Sequence, residues 1–199
     1  MTDKSNSLIQ RLQRAVQLHQ RGFYLQAESF TRQILNDDLN HSDSNPLLKL
    51  LSRQLERFSL ANPDYAEITN HFGEAFHTIG EVDEAISCYK LALEKKPDYC
   101  QAYINLGNAA QAFRQYGQSV LYYKKAISLQ NDYLEAHHNL GNVLRCLGYP
   151  EKAIPCYLES VTINPSHVDG WLELGHVYFD LGQISEAEEC YREAVKINP

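Results

Sequence analysis

The sequence lacks the features that mark several large classes of protein. It has no C-x2-C pair, which zinc sites commonly contain, and no stretch near the roughly 20 apolar residues that span a bilayer. The opening residues, MTDKSNSLIQRLQR, hold no uncharged apolar run of the kind found in a secretory signal. We therefore expect a cytoplasmic protein that does not enter a membrane.

Basic residues are also too few for a nucleic-acid-binding protein. Lys and Arg number 18 against 25 Asp and Glu, and the formal net charge of -7 opposes a phosphate backbone. No glycine-rich phosphate loop, nucleophile elbow or paired-carboxylate motif stands in a context that supports catalysis. We expect no cofactor, no metal site and no enzymatic activity in these residues.

The cysteines, five in number, do not form a recognisable framework. An odd count without a signal peptide fits reduced thiols. Cys88, Cys156 and Cys190 occupy one column of a repeat, which favours a packing role for them.

That repeat, with a period of 34 positions, runs from Ala66 to the end of the chain. A bulky residue precedes a glycine in each copy, and a tyrosine follows between two columns of small residues. The glycines are Gly73, Gly107, Gly141 and Gly175, and the tyrosines are Tyr89, Tyr123, Tyr157 and Tyr191. Internal self-similarity at this period predicts a repeat architecture.

The last copy is similar to the W-x2-L-G-x2-Y…A-x3-F…A…P signature of the tetratricopeptide repeat (TPR) family. The matching residues are Trp171, Leu174, Gly175, Tyr178, Ala187, Tyr191, Ala194 and Pro199. The resemblance implies an all-α fold, a right-handed α-solenoid of helix-turn-helix repeats. It predicts four units over residues 66–99, 100–133, 134–167 and 168–199.

Each unit is expected to contain helix A, a break and helix B. The glycine inside helix A predicts a close approach of helix B, with Ala or Ser opposite. Gly80, Gly148 and Gly182 occupy the break in three units, whereas Arg114 departs from this pattern in the second. Pro155 should remove a backbone hydrogen bond from helix B of the third unit, or bend that helix.

The front of the chain is less regular. Residues 1–41 resemble a degenerate TPR-like helix pair, and residues 42–65 have room for a single spacer or capping helix. At the other end, no polar helix covers helix B of the fourth unit. We expect a longer protein, a partner or a second copy to cover it.

The remaining face of each helix A is expected to line the hollow of the superhelix, as the resemblance implies. The predicted peptide-binding residues are Asn70, His71, Glu74, Gln101, Asn105, Asn108, Gln111, His138, Asn139, Asn142, Arg145, Glu173 and His176. Asn105 with Asn139, and Asn108 with Asn142, would form two short rows of carboxamides, which both donate and accept hydrogen bonds. The rows are similar to the asparagine ladder of O-GlcNAc transferase, although solvated asparagines explain them equally well.

Three functions remain open. The first is a non-catalytic protein-protein interaction scaffold that binds an extended peptide, neutral or basic rather than acidic. The second is the substrate-recruiting N-terminal part of a larger enzyme resembling O-GlcNAc transferase. The third is a module that associates with itself. The basic residues of a carboxylate clamp are missing, since Ile104, Asp169 and Glu173 stand in their places.

Overall fold

The computed structural model describes residues 65–78, 80 and 82–198, together with Arg14. From residue 65 onward the described residues form eight α-helices of 13 or 14 residues and no strand. They are α1 (Tyr65–Thr78), α2 (Val82–Lys95), α3 (Cys100–Ala112), α4 (Tyr116–Leu129), α5 (Leu134–Cys146), α6 (Pro150–Ile163), α7 (Val168–Asp180) and α8 (Ile184–Ile197). The predicted all-α class is confirmed.

The helix boundaries repeat with the period of the sequence. Helices α3, α5 and α7 begin at Cys100, Leu134 and Val168, and each is helix A of a predicted unit. Their partners end at Leu129, Ile163 and Ile197, one period apart. The predicted N-terminal pair and the helix over 42–65 lie outside the described residues, apart from Arg14 and Tyr65.

The chain divides into two compact units, Met1–Ala102 and Tyr103–Pro199, and helix α3 begins in the first and continues into the second. In the first unit, α1 packs against α2. A small core of Ala66, Ala92 and Ala102 is covered by Leu93 and Tyr99.

In the second unit, successive helical hairpins stack on one another. Helix α5 pairs with α6 and α7 with α8, while α4 packs on α5 and α6 on α7. Ala153 and Tyr157 of α6 share a core with Leu174 and Val177 of α7. This stacking of helix-turn-helix units is that of the predicted α-solenoid class.

The glycine of each helix A faces the tyrosine of helix B, which corrects one expectation from the sequence. A Cβ on Gly107 would lie 2.4 Å from Cε1 of Tyr123, and one on Gly141 would lie 2.7 Å from Cε1 of Tyr157. The predicted Ala or Ser is not the residue opposite, because the larger ring reaches the glycine first. Ser119 instead donates from its hydroxyl to the carbonyl of Gly107 (2.8 Å).

The breaks between helices A and B adopt the left-handed conformation in every described unit. Gly80, Gly148 and Gly182 have φ of 85°, 79° and 75°. Arg114 has φ of 58° at the equivalent place. The backbone bonds agree as well: Gln115 N–H donates to the carbonyl of Ala110, as Tyr149 N–H does to that of Leu144. The hairpin therefore imposes this geometry, whichever residue occupies the position.

Aromatic nitrogens fasten the start of two A helices to the preceding turn. The indole Nε1 of Trp171 donates to the carbonyl of Pro165 (2.9 Å). One period earlier, His137 Nε2 lies 2.8 Å from the carbonyl oxygen of Asn131 and must carry the proton, because that oxygen can only accept. The buried His137 therefore replaces the tryptophan.

Helix α6 tolerates its internal proline. Pro150 occupies the first turn, where the missing N–H has no partner in any case. Pro155 is exposed, and α6 continues past it to Ile163.

Candidate functional site

The predicted groove residues of the first unit are largely enclosed. Asn70 has no exposed surface, and its Nδ2 donates to Glu74 Oε1 at 3.0 Å. His71, Glu74 and Gln101 are half-buried. Asn70 therefore supports α1 from inside and presents no side-chain surface to a ligand.

In the second compact unit the predicted residues lie along α3, α5 and α7. Asn105 is only 8% exposed, so its side chain is also largely enclosed. Asn108, Gln111, His138, Asn139, Asn142, Arg145 and Glu173 are half-buried, and His176 is exposed. The two predicted rows thus differ, because Asn105 is buried and the other three asparagines are accessible.

Asn108 is the centre of a hydrogen-bond network that joins three helices. Its Oδ1 accepts from the Tyr123 hydroxyl of α4 (2.6 Å) and from Nδ2 of Asn139 on α5 (2.9 Å). Its own Nδ2 donates to Oε1 of Glu135 (3.2 Å). Both lone pairs of the amide oxygen are occupied, so Asn108 has little capacity left for another partner.

Asn142 repeats part of this arrangement one period later. Its Oδ1 accepts from the Tyr157 hydroxyl (2.7 Å). Within the described part of the chain, Nδ2 of Asn142 and Oδ1 of Asn139 make no hydrogen bond. These amide groups keep both donor and acceptor capacity on the surface of α5.

An ion pair links α5 to α7 on the same face. Arg145 Nη1 pairs with Oε2 of Glu173, and Nδ1 of His176 lies 3.8 Å from that oxygen. The pair is partly exposed, with 37% of the Arg145 side chain and 27% of the Glu173 side chain accessible. Solvent screening limits its contribution to stability, but it fixes the position of two charges on this face.

Two histidines meet beside these residues. Nδ1 of His138 on α5 lies 3.2 Å from Nε2 of His167, which directly precedes α7. Burial, and then the neighbouring His167, hold the pKa of His138 below its ordinary value, although Glu173 and Asp169 act in the opposite direction. The neutral ring is therefore favoured at this position.

The tyrosines of helix B belong to the site, which the sequence interpretation missed. Burial raises the pKa of Tyr123 to about 12, so the hydroxyl remains a donor to Asn108. The sequence did contain a signal for this contact, because the tyrosine follows the asparagine by the same 15 positions in the second and third sequence repeats.

The described residues hold neither a metal centre nor a disulfide. They contain no group of three or more His, Cys, Asp and Glu side chains arranged to hold a metal ion. All five cysteines lie among them, and none forms a disulfide. No helix in the described part of the chain is long and apolar enough to cross a membrane.

The outer face of the last hairpin forms an apolar groove between α7 and α8. Phe179, Ile184 and Val195 are 60%, 56% and 61% exposed. The other lining residues are Ala187, Glu188, Tyr191, Arg192 and Lys196. We call this surface the α7/α8 groove.

Comparison with known proteins agrees with the repeat. Models of the tetratricopeptide repeat match residues 101–133, 134–167 and 168–199, and a TPR repeat model matches residues 73–112. No curated protein matches the chain.

Several solved structures share the fold at low sequence identity. A crystal structure of MamA is 23% identical, with a TM-score of 0.67 over 77% of this chain and 90% of that chain. MamA from Desulfovibrio magneticus RS-1 is 17% identical, with a TM-score of 0.69 over 85% and 94%. BtubC from P. vanneervenii is 17% identical, with a TM-score of 0.76 over 97% and 89%. With the repeat models covering residues 73–199 and the helical hairpins in register with them, the chain belongs to the tetratricopeptide repeat family.

Proposed function

We propose that this chain is a non-catalytic protein-protein interaction scaffold that binds an extended peptide segment along the polar face of its A helices. In the second unit this face comprises α3, α5 and α7. Family membership supports a scaffold, and the side chains of this face support the binding mode.

The observation that carries the proposal is the contact between polar faces of successive hairpins. Asn139 Nδ2 of α5 donates to Asn108 Oδ1 of α3 (2.9 Å), and Arg145 of α5 pairs with Glu173 of α7. The polar side chains therefore form a row that runs from repeat to repeat. An extended peptide carries a row of backbone amides along its length, which such side chains can bind.

The residues of this face have different roles in the proposal. Asn139 and Asn142 contact the peptide backbone, because each keeps unused amide capacity. Asn108, held by Tyr123 and Glu135, positions Asn139. In the first compact unit, taken by itself, the candidates for contact are His71, Glu74 and Gln101, and the buried Asn70 holds Glu74.

The charges of the face set the partner's chemistry. Glu135 and Asp169 lie on α5 and α7 with Glu173, and Arg145 is neutralised by that carboxylate. The net charge of the chain is -7. Neutral or basic segments should therefore bind in preference to acidic ones. None of the five cysteines forms a disulfide, which suits the reducing cytoplasm in which we place this interaction.

The test is selection of binders from a random peptide display library, followed by affinity measurement on variants. Asn139→Ala combined with Asn142→Ala should weaken binding of the selected peptides roughly 5- to 100-fold, since each lost hydrogen bond is worth about 0.5–1.5 kcal/mol. Gln118→Ala removes an exposed amide from α4 and should leave affinity unchanged. Circular dichroism checks that each variant keeps its helical content.

Equal affinity of the double variant and the parent would rule out this face. Selection of predominantly acidic peptides would contradict the charge preference while leaving the face itself intact.

A second candidate function is association of two copies through the α7/α8 groove. One period earlier, Ala153, Tyr157 and Val161 hold the places of Ala187, Tyr191 and Val195, and α7 packs over them. Because the groove continues this stacking interface, its apolar surface suits a helix of the same kind, and we take a second copy as the occupant.

A further inference from the structure

The two histidines at the joint between α5 and α7 form an unusual contact. Their rings meet edge to face, with centroids 4.9 Å apart and planes at 79°. Nδ1 of His138 and Nε2 of His167 are 3.2 Å apart, within hydrogen-bonding distance. One ring nitrogen must therefore donate its proton to the lone pair of the other.

The surroundings make this joint tight. His138 also packs edge to face on the fully buried Tyr157 of α6, with ring centroids 5.7 Å apart. A Cβ on Gly170 in the first turn of α7 would meet His167 Cδ2 at 2.6 Å and Val161 Cγ1 at 2.8 Å. His167 is therefore packed closely against the first turn of α7.

The neutral pair can form a hydrogen bond between the two rings, and the fully protonated pair cannot. A neutral pair holds one proton between the rings, and a pair with one extra proton can still do so, because one lone pair remains. A second extra proton leaves N–H facing N–H and places two positive charges side by side. The groups that face the pair are Glu173 and Asp169 on α7, Arg145 on α5 and the hydroxyl-bearing Tyr157 on α6.

We propose that the His138–His167 contact makes the packing of α5 and α6 against the start of α7 sensitive to acid. At neutral pH the pair holds the joint closed, and double protonation opens it. This inference concerns the joint alone and does not depend on peptide binding.

The direction of the pH effect follows from linkage. Because burial and His167 lower the pKa of His138 in the folded chain, the unfolded chain binds the proton first as pH falls below about 6.5. Stability is therefore complete above that pH and declines as pH falls through the range between the unfolded and the folded value.

The first test is an NMR titration of the imidazole nitrogens in the unaltered protein. We expect the His138 midpoint to lie below about 6.5, and a midpoint at or above that value would overturn the inference. This measurement stands even where a substitution prevents folding.

The second test compares melting temperatures at about pH 7.5 and about pH 5.5. His138→Asn keeps a polar atom near the position of Nδ1, and His167→Gln keeps one near that of Nε2, but neither titrates. Each should reduce the fall in melting temperature by about 2 °C or more. His77→Asn, an exposed histidine on α1, should leave the fall unchanged. An undiminished fall in both joint variants would overturn the proposal.

Discussion

At the scale of single residues, the contact between glycine and tyrosine determines how closely the two helices of a hairpin approach. Gly107 lies inside α3, where glycine costs about 1 kcal/mol relative to alanine. The ring of Tyr123 occupies the space that a side chain would fill, and Tyr123 is fully buried. Burial of the ring offsets the backbone cost.

Gly107→Ala should therefore destabilise the protein, although alanine is the better helix former. The new methyl group would sit 2.4 Å from Cε1 of Tyr123, and overpacking of this kind costs about 1–3 kcal/mol. Urea unfolding followed by circular dichroism gives the difference.

Gly117→Ala is the matched control, because Gly117 is a helical glycine of α4 with nothing within 4 Å of its Cβ position. That variant should be neutral or gain up to about 1 kcal/mol. If the two substitutions had the same effect, close packing would not explain why a glycine recurs in every repeat.

At the scale of helices, the tyrosine column fixes helix B to helix A through its hydroxyls as well as its rings. The Tyr123 hydroxyl donates to Oδ1 of Asn108 (2.6 Å), with Oε1 of Gln111 a longer contact of the same proton (3.1 Å), and the Tyr157 hydroxyl donates to Oδ1 of Asn142 (2.7 Å). Burial raises the pKa of Tyr123 to about 12 and raises those of Tyr89 and Tyr157 as well. The buried tyrosines of helix B therefore stay neutral in the folded protein.

This column predicts a loss of stability in alkali. A phenol whose pKa is higher in the folded chain stabilises it fully below the unfolded value near 10, and that contribution is lost as pH rises above 10. Urea unfolding between about pH 8 and about pH 11 should show the decline. In Tyr123→Phe the decline should be smaller, and stability at neutral pH should drop by about 0.5–1.5 kcal/mol for the lost hydrogen bond.

Tyr116→Phe removes a hydroxyl from the same helix that makes no hydrogen bond within the described residues, and it should change neither quantity. A Tyr123→Phe variant with the parent's alkaline profile would contradict the role given to the buried phenol.

Much of the fold could be predicted at this scale, because the helix boundaries follow the period of small and bulky residues. What could not be predicted is which side chain of helix B contacts the glycine of helix A. The ring opposite Gly107 comes from Tyr123, and sequence spacing alone does not say whether Ser119 or Tyr123 reaches the glycine first. Arg114 shows the converse: a residue that disfavours positive φ adopts it, since the flanking helices require the turn.

The candidate site was harder to predict than the fold. The helix face was read from the period, and three of the four asparagines of the predicted rows are accessible. The burial of Asn105 and the hydrogen bonds that engage Asn108 depend on neighbours on other helices. Such contacts leave little trace in a single helix pattern, although the recurring interval between asparagine and tyrosine pointed to them.

At the scale of the whole molecule, the α7/α8 groove is the surface on which exposed apolar side chains gather in the last described hairpin. Association through the α7/α8 groove predicts a molecular mass that rises with concentration. Sedimentation measured from about 1 to about 100 µM should show this rise in mass, since small apolar interfaces give modest affinities.

Ile184→Ser combined with Val195→Ser should abolish that rise by placing hydroxyls in the groove. Leu121→Ser changes a leucine that is 68% exposed on α4 and should not alter the mass. A mass that stays that of one chain at every concentration would exclude this second function.

The hydrogen bond from the indole of Trp171 to the carbonyl of Pro165 has a practical consequence. Trp171 is the single tryptophan of the chain, and its backbone N–H bonds the carbonyl of His167. Its fluorescence therefore comes from one place, the joint at the start of α7. Loosening of that joint would expose the indole to water and shift its emission to the red, so the unlabelled protein carries its own optical reporter of acid opening.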